Sequence, residues 1–543
     1  MTKTVQLNDG SEQFFLIREL RVDTVKYSAF GAGIDSRITE IIRNISGTAP
    51  EMCRILKKSI DSRRGRPEII YKLIILSDST ICNLNAEKIT PEEAAQLLAA
   101  PEIEIEPLKK HDRHPVVVGT GPAGLFAGLI LALAGAEPLI LDRGRMVDER
   151  ADDIKDFYRT RTLNEASNYL IGEGGAGTFS DGKLYTRIHD PRSAWALAQF
   201  VEAGADCDTI YLKRPHLGSD KLPGIIASMR KKIIRLGGKF RFSCEVNDIT
   251  RDQNGRCSGV KLASGEYIAA DAVIIAAGLG GRTLTMNLIR HAASEPKGFQ
   301  IGCRIEHPQE FVDQRQYRCR PRPPTLGAAE YNLAMSPTPD SPGASTFCMC
   351  PGGIVIPATA TAGELSSNGM SNRARNGEFA NSTIVVTPEQ AVFKSHAEAF
   401  GFLAQLGRQT FYAGGGNYGF PAQDADAFIA GCAKLTRKKS SVPTELVPAD
   451  ISAILPQEAA ATIRRALKEF DHRFKGFIKY GKLIGVESYV SSPVRFTRDA
   501  NLMSSVQQLY FAGEGAGMAG GILSAAVDGI KIAQAVIRNF NQI

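Results

Sequence analysis

Gly119, Gly121 and Gly124 stand in GTGPAG, behind the apolar run 116–118 and ahead of the apolar run LFAGLILALA. A buried strand, a glycine turn and a helix in that order bring backbone N–H groups against a pyrophosphate. Gly119 permits the tight turn, Gly121 lets the backbone approach the phosphates, and Gly124 lets the helix pack closely on the strand. Pro122, Ala123 and Gly124 open the helix, whose N-terminus offers N–H groups and a positive dipole end. Asp142 follows the second strand of this unit, 18 residues after Gly124, where a carboxylate accepts hydrogen bonds from a ribose diol and repels a 2′-phosphate. This motif alone does not separate one dinucleotide from another.

A second turn near the C-terminus makes the distinction. The apolar run 509–512 ends in Gly513 and Glu514, followed by Gly515, Gly517, Gly520 and Gly521 and then a helical pattern. Such a turn can place Glu514 on polyol hydroxyls. The helix that starts near Gly521 can meet the pyrimidine end of an isoalloxazine, where its dipole stabilises negative charge on the reduced ring. A protein using the fold for NAD alone needs no second acidic glycine turn, so the pair points to FAD.

With both motifs in place, the chain resembles the glutathione-reductase-like superfamily of FAD-dependent enzymes, although Glu514 stands where their pattern usually has Asp. GEGGAGTFSDGKLYT (172–186), IGCRIEHPQEFVD (301–313), CMCPGG (348–353), SSPVRFTRD (491–499) and AGEGAGMAGGI (512–522) together look like the uncharacterised FAD-dependent dehydrogenases that carry an extra N-terminal α/β domain. KKSIDSRRG (57–65) matches that extra domain, so the resemblance covers nearly the whole chain. It implies further cofactor contacts: Arg143 beside the ribose; Gly174, Gly175, Gly177 and Thr178 against the flavin or ribityl region; Val246 near adenine; Ala277 and Gly278 as a third nucleotide motif; and Ile522 beside Gly520 and Gly521. Val246 reads equally well as an ordinary strand residue, since valine suits strands by packing alone.

Four residues are candidates for the chemistry itself. On the strand-like stretch 302–307, Arg304 and Glu306 share a face and His307 takes the other. An internal ion pair explains the first two; alternatively Arg304 binds an anionic substrate group and His307 exchanges a proton near neutral pH. Arg495 and Arg498 are alternative anion holders or flavin-side donors, or else solvated or structural arginines. Lys183 can shift the flavin potential by placing positive charge nearby, or cap a loop. Cys348 and Cys350 read as buried packing thiols, pocket lining, or a redox or metal pair. In an extended segment their Cα atoms sit near the limit for bridging, which argues against a disulfide. The segment 172–183 holds no cysteine, which argues against the dithiol relay of disulfide reductases. No His-x-x-x-His or His-Glu-x-x-His spacing occurs, so no metal is expected.

The elements that must position these groups divide the chain into four parts. Residues 1–112 form a small N-terminal α/β domain, with strands at 14–22 and 69–76 and helices over 37–45 and 49–59. Residues 113–296 form the first part of an FAD-binding domain: a βαβ unit, a helix over 222–236, short strands at 240–250, 259–262 and 267–269, and the strand 272–276. Residues 297–483 form a mixed α+β substrate or cap domain, and 484–543 complete the FAD-binding domain. The fold class is therefore α/β, a Rossmann-type domain interrupted by a cap and preceded by an accessory domain.

Composition agrees with a globular enzyme. Of 543 residues, 43% are hydrophobic and 23% charged, enough apolar surface for more than one core. The N-terminus carries no apolar run behind a basic start, and the longest apolar stretch, 125–136, falls short of the roughly 20 residues that span a bilayer. The expectation is a cytoplasmic protein without a membrane partner. Ten scattered cysteines fit a reducing compartment. The net charge of +7 is a weak bias in so long a chain, and the basic clusters 63–66, 230–241 and 315–322 read as solvated faces. The reading is an FAD-dependent dehydrogenase or reductase that moves a hydride between a small organic substrate and flavin N5, with NAD(P)H as a transient donor. The alternatives are an RNA-modifying flavoprotein and a flavin-dependent redox sensor or interaction protein.

Overall fold

A computed structural model of the chain describes residues 13–63, 65–78, 81, 83–110, 113–339, 341–387 and 393–542. Residues 1–12, Arg64 of the first basic cluster, and His111 and Asp112 at the expected first boundary lie outside the described residues. The chain forms two compact units. One gathers residues 1–101, 206–215 and 310–329; the other gathers 102–205, 216–309 and 330–543.

In the first unit, four antiparallel strands lie in the order Met52–Asp61, Glu68–Ser77, Gln13–Asp23, Ala86–Ile89. Helices Ile38–Ser46 and Pro91–Leu98 accompany them. The helix expected over 49–59 is instead the strand Met52–Asp61, paired from Met52 with Leu76 to Asp61 with Glu68. Pairing with the apolar strand Glu68–Ser77, whose buried residues include Ile69, Tyr71 and Leu73, overrides the local helical spacing. Asp35 accepts hydrogen bonds from Lys58, Tyr71 and Tyr211, which ties segment 206–215 to this sheet.

The second unit holds the glycine motifs. Its five-stranded sheet runs Leu509–Phe511, Ala272–Ile275, Pro115–Val118, Leu139–Leu141, Lys239–Arg241, with every neighbouring pair parallel. Strands buried on both faces read as unbroken apolar runs, as in PVVV and AVII. Helices Pro122–Leu133 and Ile522–Gln542 share one apolar core on one face, joined by Leu222–Arg235. The antiparallel strands Val246–Arg251, Cys257–Leu262 and Tyr267–Ala269 contribute to a second core. The single strand expected at 240–250 divides in two, because Ser243 turns the chain with a left-handed φ of 51°.

Parallelism brings the distant motifs together. Val118 is in register with Ile275, and Ile275 with Phe511, so the turns at Gly119, Ala277 and Gly513 leave the carboxyl ends of three adjacent strands on the same edge. That edge is where open α/β sheets take their ligands. A seven-stranded sheet in the same unit runs Ala334–Met335, Ala344–Cys350, Phe379–Val386, Ile301–Pro308, Lys482–Glu487, Phe420–Asp424, Leu446–Pro448. Its strand Ile301–Pro308 is antiparallel to both neighbours and carries Arg304, Glu306 and His307. No described helix is long and apolar enough to cross a membrane.

Candidate active site

A cleft of about 1670 Å³, its open mouth included, lies over the carboxyl edge of the parallel sheet. Gly119, Gly121, Pro122, Ala123, Asp142, Arg143, Gly175, Gly177, Val246, Ala277, Gly278, Gly513, Glu514, Gly520, Gly521 and Ile522 all line it. Gly124, Gly174 and Thr178 do not, and each has a packing reason. A Cβ on Gly124 would stand 1.8 Å from the Gly119 carbonyl oxygen, and one on Gly174 would stand 2.0 Å from Thr178 Oγ1. Thr178 is fully buried and donates to the Glu173 carbonyl at 3.0 Å.

Two glycines of the first loop differ in what they require. Gly119 has φ +105°, and a Cβ there would come 2.4 Å from the Ala276 carbonyl oxygen, so the fold itself needs glycine. Gly121 has φ −63°, open to any residue, and its Cβ would find its nearest protein atom at 4.0 Å. That glycine faces cleft space, as do Gly278, Gly520 and Gly521, where a Cβ would meet nothing within 4 Å. A backbone cradle that protein atoms do not fill, opening at the first turns of two helices, fits a pyrophosphate and a flavin.

Asp142 is held in place by three donors: the Thr120 amide at 2.9 Å, the Thr120 hydroxyl at 2.5 Å and the Gly144 amide at 2.8 Å. Arg143 donates to the Glu165 carbonyl at 2.6 Å and lies 3.3 Å from Glu245. The second turn rests on a pair of which sequence reasoning missed one member, Asp528. Asp528, on the helix Ile522–Gln542, accepts the Gly513 amide at 2.7 Å and both guanidinium arms of Arg498 at 2.8 and 2.9 Å. Arg498 is thereby a support for the turn. Burial pushes the Glu514 carboxyl up to about 7, with Lys297 opposing and Cys348 adding to the rise.

Arg150 is the other residue that sequence reasoning passed over. Set among charged neighbours in DERADDIKDF, it gives no apolar or spacing signal. Yet it is fully buried, and its guanidinium donates to the carbonyls of Asn168, Tyr169, Gly172, Glu173 and Gly175. One side chain thus shapes the glycine segment that forms a wall of the cleft.

The four candidates for chemistry part company. Lys183 lines the cleft, 3.1 Å from Asp181 and 3.7 Å from the Cys350 sulfur. Arg304 is fully buried and does not line it. Its ion pair is with Glu487, at 2.7 and 3.0 Å, while Asn381 and Asn368 accept its remaining arms. Glu306 pairs instead with Lys482 at 3.2 Å, so the internal ion pair expected between Arg304 and Glu306 is replaced by two pairs across to the strand Lys482–Glu487. Glu487 and Asn368 themselves face the cleft, with Phe347 and Cys348. His307 is fully buried away from the cleft, with Nε2 2.8 Å from the Phe477 carbonyl. Burial lowers it to about 4, so the ring is neutral at neutral pH. Arg495 is half-exposed beside Glu295, outside the lining. Among the described residues no group of His, Cys, Asp or Glu is placed to hold a metal ion.

Parts of the chain match known families, and nearly the whole of it matches a known relative. The family described as "FAD-dependent protein, C-terminal domain-like" matches residues 298–490, and "FAD dependent oxidoreductase" matches residues 224–325. An uncharacterised protein of Clostridium beijerinckii is 36% identical over 511 residues, 90% of this chain and 92% of that protein. Among solved structures, the flavin-dependent brominase Bmp2 is 12% identical with TM-score 0.38, covering 79% of each chain. CtdE in complex with FAD is 12% identical with TM-score 0.33, covering 79% of this chain and 84% of the other.

Proposed function

This chain belongs to the FAD-dependent oxidoreductase family, and from that premise we propose that it moves a hydride between a small organic substrate and N5 of its flavin, as a dehydrogenase or reductase. The observation that carries this reading is the two-part lining of the cleft. One part is glycine backbone with the first turns of two helices; the other is Lys183, Phe347, Cys348, Asn368 and Glu487, side chains able to hold an organic molecule. The loop from Gly119 to Gly124 would hold the pyrophosphate, Asp142 the ribose, and the turns at Gly513–Glu514 and Gly520–Ile522 the ribityl chain and ring. When bound, FAD supplies the N5 atom that accepts or returns the hydride.

The chain's own residues provide orientation and proton control. Phe347 is 41% exposed and offers an apolar surface, while Lys183 and Asn368 offer donors to a polar group on the substrate. Glu514, titrating near neutrality, can hold or release a proton as charge changes beside it. The first turn of Ile522–Gln542 turns its positive dipole end to the cleft, where negative charge on a reduced ring is favoured. NAD(P)H would dock transiently over the ring as an electron donor.

The test is anaerobic mixing of the holoprotein with NADH, NADPH, amines, hydroxy acids and polycyclic alcohols. The expected result is complete bleaching of the flavin by at least one of them. A flavin that dithionite reduces but every carbon donor leaves oxidised would overturn the proposal.

A further inference from the structure

Cys348 and Cys350 occupy the strand Ala344–Cys350, but the strand is not regular where they sit. Its ladder with Phe379–Val386 breaks between Phe347 and Cys350, and Cys348 adopts a left-handed φ of 46°. A non-glycine residue in that region costs free energy that the surroundings must supply, and such bulges re-aim side chains. Cys348 lines the cleft, while Cys350 is fully buried behind it. Each thiol shifts the acidity of the other. Cys350 Sγ also lies 3.3 Å from the Cys348 carbonyl and 3.7 Å from Lys183 Nζ. Packing holds Cys350 in place: a Cβ on Gly369 would stand 3.0 Å from its sulfur. Simple packing thiols call for neither an ammonium donor at the cleft wall nor a bulge that turns one of them to the cleft.

We propose that Cys348 and Cys350 form a redox-active dithiol, a second two-electron centre that exchanges an electron pair with the FAD of the same cleft. In the oxidative direction both S–H bonds break and one S–S bond forms. The two electrons and two protons pass to oxidised flavin, which becomes reduced flavin; the reverse reaction reopens the bond. No other reactant is needed. The left-handed backbone at Cys348 breaks the regular rise of about 3.3 Å per residue, so the extended span that argues against a disulfide does not apply to this pair. A bond formed there is strained, and strained disulfides are the easily reduced, functional ones.

The charges favour the cleft-facing sulfur as the reactive one. The neighbouring Cys350 side chain holds the Cys348 thiol well below its ordinary range; burial opposes this, and Lys183 and Arg304 add to the lowering. Cys350 is raised by its Cys348 neighbour and by burial. A thiolate is the attacking form in thiol chemistry. The expectation from extended backbone, that this pair would not bridge, did not include the bulge.

The inference rests on FAD occupying the cleft, and its test separates the two. Holoprotein is reduced, reoxidised with ferricyanide, freed of oxidant and divided. One part is denatured under non-reducing conditions and alkylated with iodoacetamide before digestion and mass analysis; the other is titrated anaerobically with dithionite. The proposal expects Cys348 and Cys350 to resist alkylation until reduced, and the titration to consume one two-electron equivalent beyond that which bleaches the flavin. Cys350→Ser should lose the extra equivalent and keep a reducible flavin. Free, fully alkylated Cys348 and Cys350 in the reoxidised wild-type protein, with a titration ending at flavin reduction, would overturn it. That measurement needs no variant, and bleaching by a carbon donor would be unaffected.

Discussion

Gly121→Ala isolates the cofactor cradle from the fold. The backbone at Gly121 already has φ −63° and ψ 176°, so alanine fits without strain, and its methyl would meet its nearest protein atom, Gly175 Cα, at 4.0 Å. Glycine-to-alanine replacement at a compatible site stabilises by about 0.4–1 kcal/mol through the unfolded chain, offset by a few tenths because alanine is the poorer N-cap. The apoprotein should therefore melt within a few degrees of wild type. Binding should suffer, because the methyl occupies the space that lets the loop approach the phosphates. Hydrogen bonds to charged groups contribute about 1.5–3 kcal/mol each. Losing two weakens FAD by about 3 kcal/mol or more, on the order of a hundredfold. Gly124→Ala is the contrast: its methyl would stand 1.8 Å from the Gly119 carbonyl oxygen, and overpacking of that kind costs about 1–3 kcal/mol of stability. Thermal melts of apoprotein and fluorescence titration with FAD separate the two effects. Wild-type FAD affinity in Gly121→Ala, or an apoprotein destabilised as much as Gly124→Ala, would refute the reasoning.

Three further outcomes are expected. His307 is held near 4 in the fold against an ordinary 6.5. The unfolded chain therefore binds a proton that the fold refuses, and stability is lost as pH falls from 6.5 towards 4. His307 accounts for about 3 kcal/mol of that loss, so chemical denaturation at pH 7 and 4.5 should show a shallower acid loss in His307→Gln; parallel losses would count against it. Glu514 runs the opposite way: raised from 4.5 to about 7, it makes the apoprotein less stable as pH rises through that window. Glu514→Gln should flatten this part of the melting profile, and an unchanged slope would show that the carboxyl is not so shifted. Arg498→Met strips both guanidinium bonds from the mostly buried Asp528. The expected cost is about 3 kcal/mol of stability with weakened FAD binding; unchanged melting and affinity would remove this pair from the account.

The cleft was legible wherever function is written in backbone. Strand, glycine spacing and helix recur around Gly119 and Gly513, and parallel pairing does the rest, because the register of Val118, Ile275 and Phe511 aligns three turns without any further signal. Long-range side-chain pairing was not legible. Arg304 finds Glu487 across 183 positions, whereas local alternation offered Glu306, and nothing around Arg150 marks it as the side chain that gathers five carbonyls. The strand Met52–Asp61 was hidden because its partner, not its own pattern, decides its state. The bulge at Cys348 was hidden for the same reason: a break in a ladder is a property of two strands.

Hydride transfer is tested most directly with whichever donor bleaches the flavin, deuterated at its transferable C–H bond and mixed anaerobically with holoprotein in a single turnover. The account predicts bleaching slowed several-fold by deuterium, in one two-electron step without a radical flavin. An isotope effect of unity with a radical flavin accumulating on the way would contradict it.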